Sequence, residues 1–174
     1  STEINDRPCA FRYPRGTGVG SILPSINEKI EIGKSRIIND GKKIAILNYG
    51  ARLNETLKTK ENKKKKGINM TIVDARFAKP LDENLIWQLA TTHEAILTIE
   101  EGSIGGFGSH VINFLTKKGL MDSNLKFRSM TLPDIFIDQD TPDKMYKAAN
   151  LDSYSIEEKV LDVLNSNIVL QKQK

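Results

Sequence analysis

From Lys34 onward, short apolar runs alternate with segments whose apolar residues return every three or four positions. The run Lys43 to Tyr49 (KIAILNY) is almost continuously apolar, the pattern of a strand buried on both faces. Met70–Ala75, Ala95–Ile99 and Phe127–Leu132 predict three more strands. Between them lie helix patterns. One runs from about 51 to 66, with Leu53 and Leu57 on one face and Gly67 as a left-handed cap. The next spans Leu81–His93, with Asp82 as N-cap, Leu85, Ile86, Leu89 and Ala90 inward, and Trp87 on a flank. A third covers Ser109–Lys118. Thr141-Pro142 reads as an N-cap with proline at the first helical position. Ser155–Glu158 reads as a capping box before a last helix that turns Val160, Leu161 and Leu164 inward. Arg36–Ile38, then Asn39-Asp40-Gly41, then Lys43–Tyr49 predicts a hairpin. Strands separated by single helices pair in parallel. The expected fold is therefore α/β: a three-layer parallel or mixed sheet with helices on both faces and one antiparallel edge strand at Arg36–Ile38.

The first 35 residues do not share this rhythm. Pro8–Tyr13 is a short aromatic run that stops at Pro14, which predicts a strand ending there. Gly16, Gly18, Gly20 and Pro24 follow, in a polar stretch to Gly33 that reads as a linker. The expected division is a strand belonging to another domain (1–16), a linker (17–35), one α/β domain (36–168) and a tail (169–174). The opening Ser1–Asp6 shows neither a targeting pattern nor a helix start, and reads as a chain entered in its middle.

At 39% apolar and 28% charged, the composition suits a soluble globular domain, and 174 residues suffice for one core without staples. Apolar runs are too short to span a membrane, so no membrane partner is expected. The single cysteine, Cys9, excludes an internal disulfide and fits a reducing cytoplasm; within a strand it reads as a buried small apolar residue. Much of the net charge of +4 sits in Lys58–Lys66 (KTKENKKKK). Lysines there complement a helix C-terminus. An anionic-surface patch is the other reading, but the run lacks aromatics for stacking and arginines for phosphate forks, so no nucleic-acid partner is expected.

Two loops fall at carboxyl ends of strands, where open α/β sheets place their ligand crevice. They are Asp74–Asp82 (DARFAKPLD) and Glu100–His110 (EEGSIGGFGSH). Glycines before a helix could cradle an anion, but Glu100 and Glu101 would repel phosphate and no Rossmann or Walker spacing is present. Close approach to a neighbouring domain or subunit is the other use for these glycines. His93 and His110 sit at helix ends without a nucleophile partner, and metal-ligand spacing is absent. Arg15, between Pro14 and Gly16, either presents its fork to a phosphate or carboxylate or forms a surface ion pair at a domain boundary.

Five blocks narrow the reading: FRYPRGTGVG (11–20), IAILNYG (44–50), DARFAKPLD (74–82), IEEGSIGGFGSH (99–110) and LPDIFIDQ (132–139). Together, in collinear order, they resemble the 1-deoxy-D-xylulose-5-phosphate synthase family; DARFAKPLD alone resembles the wider transketolase-type C-terminal domain. The resemblance implies a three-domain enzyme that uses thiamine diphosphate and Mg2+ to condense pyruvate with glyceraldehyde 3-phosphate, releasing carbon dioxide. It implies that residues 1–16 are the last strand of a pyrimidine-binding domain, and that the C-terminal domain is architectural and contributes to a homodimer. The cofactor, metal and catalytic residues would lie upstream, so this chain alone is expected to bind neither cofactor nor metal and to be inactive. One residue carries over: Arg15 of YPRG resembles the arginine that grips the aldehyde's phosphate. Arg12 is expected as an inward or interface charge. The glutamate and glycine loops become interface elements. The alternatives are a transketolase, a 2-oxo-acid dehydrogenase beta subunit, or a non-catalytic assembly module.

Overall fold

The computed structural model describes residues 4–13, 29–64 and 68–165. The chain divides into two compact units, 1–30 and 31–174.

Within the first unit, residues 8–13 form no strand. A strand needs a ladder partner for its N–H and C=O groups, and the described part of this unit supplies none. Phe11 and Tyr13 are exposed and stack on each other, ring centroids 5.9 Å apart. Cys9 is exposed too, against the expectation of burial. Arg15 and the glycines at 16, 18 and 20 lie outside the described residues, as do Gly67 and the end of the lysine run.

The second unit is the α/β domain. Its elements in chain order are β1 (Arg36–Asn39), β2 (Ile44–Tyr49), α1 (Leu53–Lys64), β3 (Thr71–Asp74), α2 (Glu83–Thr92), β4 (Ala95–Glu100), α3 (Phe107–Lys117), β5 (Lys126–Met130), α4 (Pro142–Ala148) and α5 (Ser153–Asn165). The sheet order is β1-β3-β2-β4-β5, parallel except for β1 against β3. The period-2 alternation of a strand sorts its side chains between two cores. Ile44 and Ile46 join Leu57 of α1 and Ile156, Val160 and Val163 of α5 on one face. Ala45 and Leu47 join Ile86 and Leu89 of α2 and Val111 and Leu115 of α3 on the other.

The expected hairpin is absent. β1 is the antiparallel edge strand, but it pairs with β3, which lies between it and β2. The Asp40–Lys43 turn is pinned to the start of β3 instead: Gly41 N–H donates to Thr71 Oγ1 (3.0 Å) and Lys42 N–H to the Asn69 carbonyl (3.0 Å). Gly41 is required there because a Cβ would overlap the Met70 backbone, rather than for a hairpin turn.

The caps also sort themselves out. Asp82 caps α2 as expected, accepting from Leu85 N–H at 3.2 Å. Its other oxygen accepts from Ser35 N–H at 2.8 Å, which draws the approach to β1 into the domain. The capping box at Ser155 is displaced: α5 begins at Ser153, and Asp152 accepts from Ser155 N–H at 3.0 Å. Val163, not Leu161, completes the inner face of α5. Thr141 precedes Pro142 at the start of α4 without a side-chain cap bond.

Candidate functional site

After β2 the chain moves to β3 on one side; after β4 it moves to β5 on the other. The connections therefore diverge at the carboxyl ends of β2 and β4, where Tyr49 and Glu100 are register partners. This is the switch point at which doubly wound sheets open a ligand crevice. Here the crevice is filled by the domain's own side chains.

Glu100 ends β4 with its side chain buried. Its two carboxylate oxygens accept from Phe107 N–H (2.9 Å) and Gly108 N–H (2.8 Å), the first amides of α3. An anion at a helix N-terminus meets unpaired N–H groups and the positive end of the dipole. Glu100 thus occupies the place that a ligand phosphate would take. The glycines wrap this carboxylate. A Cβ on Gly102 would stand 2.6 Å from Glu100 Oε2, one on Gly106 would overlap that same oxygen, and one on Gly108 would stand 2.6 Å from Thr98 Oγ1. The sequence reading that Glu100 repels phosphate from this loop has a more specific basis: the carboxylate is itself the helix's anion.

The neighbouring Glu101 accepts from Arg52 Nε at 2.9 Å, both side chains being largely covered. The Arg52 guanidinium lies 3.4 Å from the centroid of the Tyr146 ring, a cation–π contact. Three segments meet through this arginine: the β2–α1 turn, the β4–α3 loop and α4. Tyr49 and Phe107, from the end of β2 and the start of α3, stack with ring centroids 5.2 Å apart. Beside them, buried Asn48 accepts from Thr56 Oγ1 (2.6 Å), which locks α1 to the end of β2. Leu132 N–H donates to the Gly102 carbonyl at 2.9 Å, so the segment after β5 is tied to the same loop.

Arg52, Tyr146 and the Asn48–Thr56 pair escaped the sequence reading. Arg52 follows Gly50 at a strand's end, a signal that was available; Tyr146 carried none. His93 is the C-cap of α2, its N–H donating to the Leu89 carbonyl, and its Nε2 lies 2.8 Å from Thr71 Oγ1. Burial lowers the His93 pKa, opposed by the Leu89 carbonyl and the charge of Asp40. His110 lies in the first turn of α3, at a helix start as expected. His93, just before β4, stands at the opposite end of the sheet from the switch point. Among the described residues no group of three or more His, Cys, Asp or Glu is placed to hold a metal. No described helix is long and apolar enough to cross a membrane.

A sheet of order β1-β3-β2-β4-β5 with a self-filled crevice defines a doubly wound α/β module whose usual ligand position is structural. The transketolase C-terminal domain model matches residues 33–156, and the chain belongs to that family. Among solved structures, the chain is similar to one described as "Split gene transketolase, inactive beta4 tetramer". That likeness has a TM-score of 0.72 and 24% identity over 83% of this chain, and it shows the shared fold. The chain spans 46% of that protein's length.

Proposed function

We propose that this chain is the carboxy-terminal part of a thiamine-diphosphate-dependent transferase that condenses pyruvate with glyceraldehyde 3-phosphate to 1-deoxy-D-xylulose 5-phosphate, with release of carbon dioxide. The observation that carries this reading is the pairing of YPRG ahead of the family domain with LPDIFIDQ near its end, around DARFAKPLD. The family domain supports a transferase parent that uses thiamine diphosphate and a divalent metal, Mg2+ in this reading. The described residues do not fit the cofactor: the α3 N-terminus already holds Glu100, and no metal-ligating group is present among them. In this reading the cofactor, metal and reacting carbons belong to amino-terminal domains, which are this domain's partners. The domain's part is architectural, in a cytoplasmic homodimer. In this reading Arg15 is the residue that binds the aldehyde's phosphate.

A transketolase is the second reading, favoured by the family model itself. The two separate on the donor substrate. The protein carrying this chain behind a thiamine-binding portion should consume pyruvate and glyceraldehyde 3-phosphate and release carbon dioxide in stoichiometric amount. Transfer from a ketose phosphate, with pyruvate left untouched, would overturn the synthase reading. In that protein Arg15→Ala should raise the apparent KM for glyceraldehyde 3-phosphate by about 10- to 100-fold, the scale of a charge-assisted hydrogen bond. An unchanged KM would remove Arg15 from the site.

A further inference from the structure

A second feature lies at the carboxyl end of β3, one strand over from β2. Arg36 and Asp74 are register partners across the antiparallel β1–β3 pair. Arg36 Nη2 lies 3.2 Å from Asp74 Oδ2, and Arg76 Nε lies 3.7 Å from the same oxygen. Two guanidiniums thus share one carboxylate oxygen, which leaves a positive excess. Each guanidinium has five N–H donors in a planar fork, and Asp74 engages one edge of each. Arg36 is 55% exposed at its side chain and Arg76 26%, so the remaining donors are within reach of a solute.

The backbone beneath is fixed at some conformational cost. Arg76 has φ 58°, the left-handed region that a residue with a Cβ avoids and that glycine adopts freely. Its neighbour Ala75 is buried and held on both sides: its N–H donates to the Asn48 carbonyl (2.8 Å), and its carbonyl accepts from Ser35 Oγ (3.2 Å). Backbone strain in a surrounding that over-determines it is a marker of functional positions. A glycine at 76 would satisfy the turn; an arginine there is explained by what its side chain does. Pre-set forks lose little freedom on meeting a ligand.

The geometry points to a phosphate-binding site formed by Arg36 and Arg76, with Asp74 as the internal anion that holds the two guanidiniums together. The ligand class is a phosphate group, free or as a small monoester, whose oxygens match two planar forks. The site goes beyond the proposed activity and does not depend on it.

The test is a titration of the full chain with inorganic phosphate, followed by amide chemical shifts, with chloride holding the ionic strength constant. Saturable shifts confined to Arg36 and Ala75–Phe77 are expected. Arg76→Gly relieves the backbone, so it should retain or raise Tm while weakening phosphate by about tenfold or more, the scale of one charge-assisted contact. Arg36→Gln, on the exposed edge, should weaken it in the same direction and serves if the glycine variant fails to fold. Methyl phosphate and glyceraldehyde 3-phosphate form parallel arms: tighter binding than inorganic phosphate names a monoester as the ligand, and weaker binding names the free ion. Shifts that do not saturate, that chloride reproduces, or that persist unchanged in both variants would overturn the site.

Discussion

Replacing Glu100 by alanine tests the self-filled crevice most directly. The side chain accepts two buried amide hydrogens, from Phe107 at 2.9 Å and Gly108 at 2.8 Å. Alanine leaves both donors unpaired at the start of α3, at about 1–3 kcal/mol for each buried unsatisfied group. It also removes a negative charge from the positive end of the helix dipole, worth up to ~2 kcal/mol in a partly buried setting. Against this stands the relief of no longer burying a carboxylate. These contributions are not additive, and the expected net loss is about 2–5 kcal/mol. Glu100→Gln keeps one accepting oxygen but turns an NH2 towards the second amide, so it should fall between parent and alanine. Urea unfolding followed by circular dichroism measures the change as a shift in midpoint at constant slope. A second readout comes from added phosphate: it should raise the midpoint of Glu100→Ala more than that of the parent, because the vacated amides form an anion site. An alanine variant within about 0.5 kcal/mol of the parent, the range of an ordinary surface change, would refute the claim that Glu100 caps α3.

Further expectations can be checked by the same unfolding assay. Asp82→Ala should cost about 1–3 kcal/mol, since one buried carboxylate caps α2 through Leu85 and also holds Ser35 N–H; a loss below about 0.5 kcal/mol would dismiss that double role. Thr98 Oγ1 is buried without a hydrogen-bond partner among the described residues, so Thr98→Val should be neutral or stabilising by about 1 kcal/mol, and a clear destabilisation would show that the hydroxyl is satisfied. The lowered pKa of His93 means that the unfolded chain takes up the proton first. Stability should therefore fall as pH drops from about 6.5 towards the folded-state pKa, and this part of the slope should vanish in His93→Gln. Identical pH dependence in the two proteins would contradict the assignment.

The α/β class, the antiparallel edge and all five strands at their positions were legible because a buried strand and an amphipathic helix each carry a local period. Asp82 was legible for the same reason, since a cap and its helix are neighbours in sequence. What failed was non-local. Arg36–Ile38 looked like one arm of a hairpin, yet β3 enters between the arms, and the 30-residue separation between Gly41 and Thr71 has no local sign. Leu161 and Val163 stand two positions apart, and only the placement of α5 on the sheet decides which is buried. Pro8–Tyr13 has strand composition, but pairing depends on a partner that the described part of its unit does not supply.

The same division runs through the site. By itself the sequence determined that acidic and glycine residues crowd the end of β4, and that this loop is a poor place for phosphate. Tertiary structure decided why: Glu100 folds back onto amides of Phe107 and Gly108, and Arg52 reaches Glu101 and Tyr146 from a different element. Charge type is a property of a residue, and a chain of residues displays it openly. Which charge meets which donor depends on strand order and on where each connection crosses, and that information exists only once the sheet has formed.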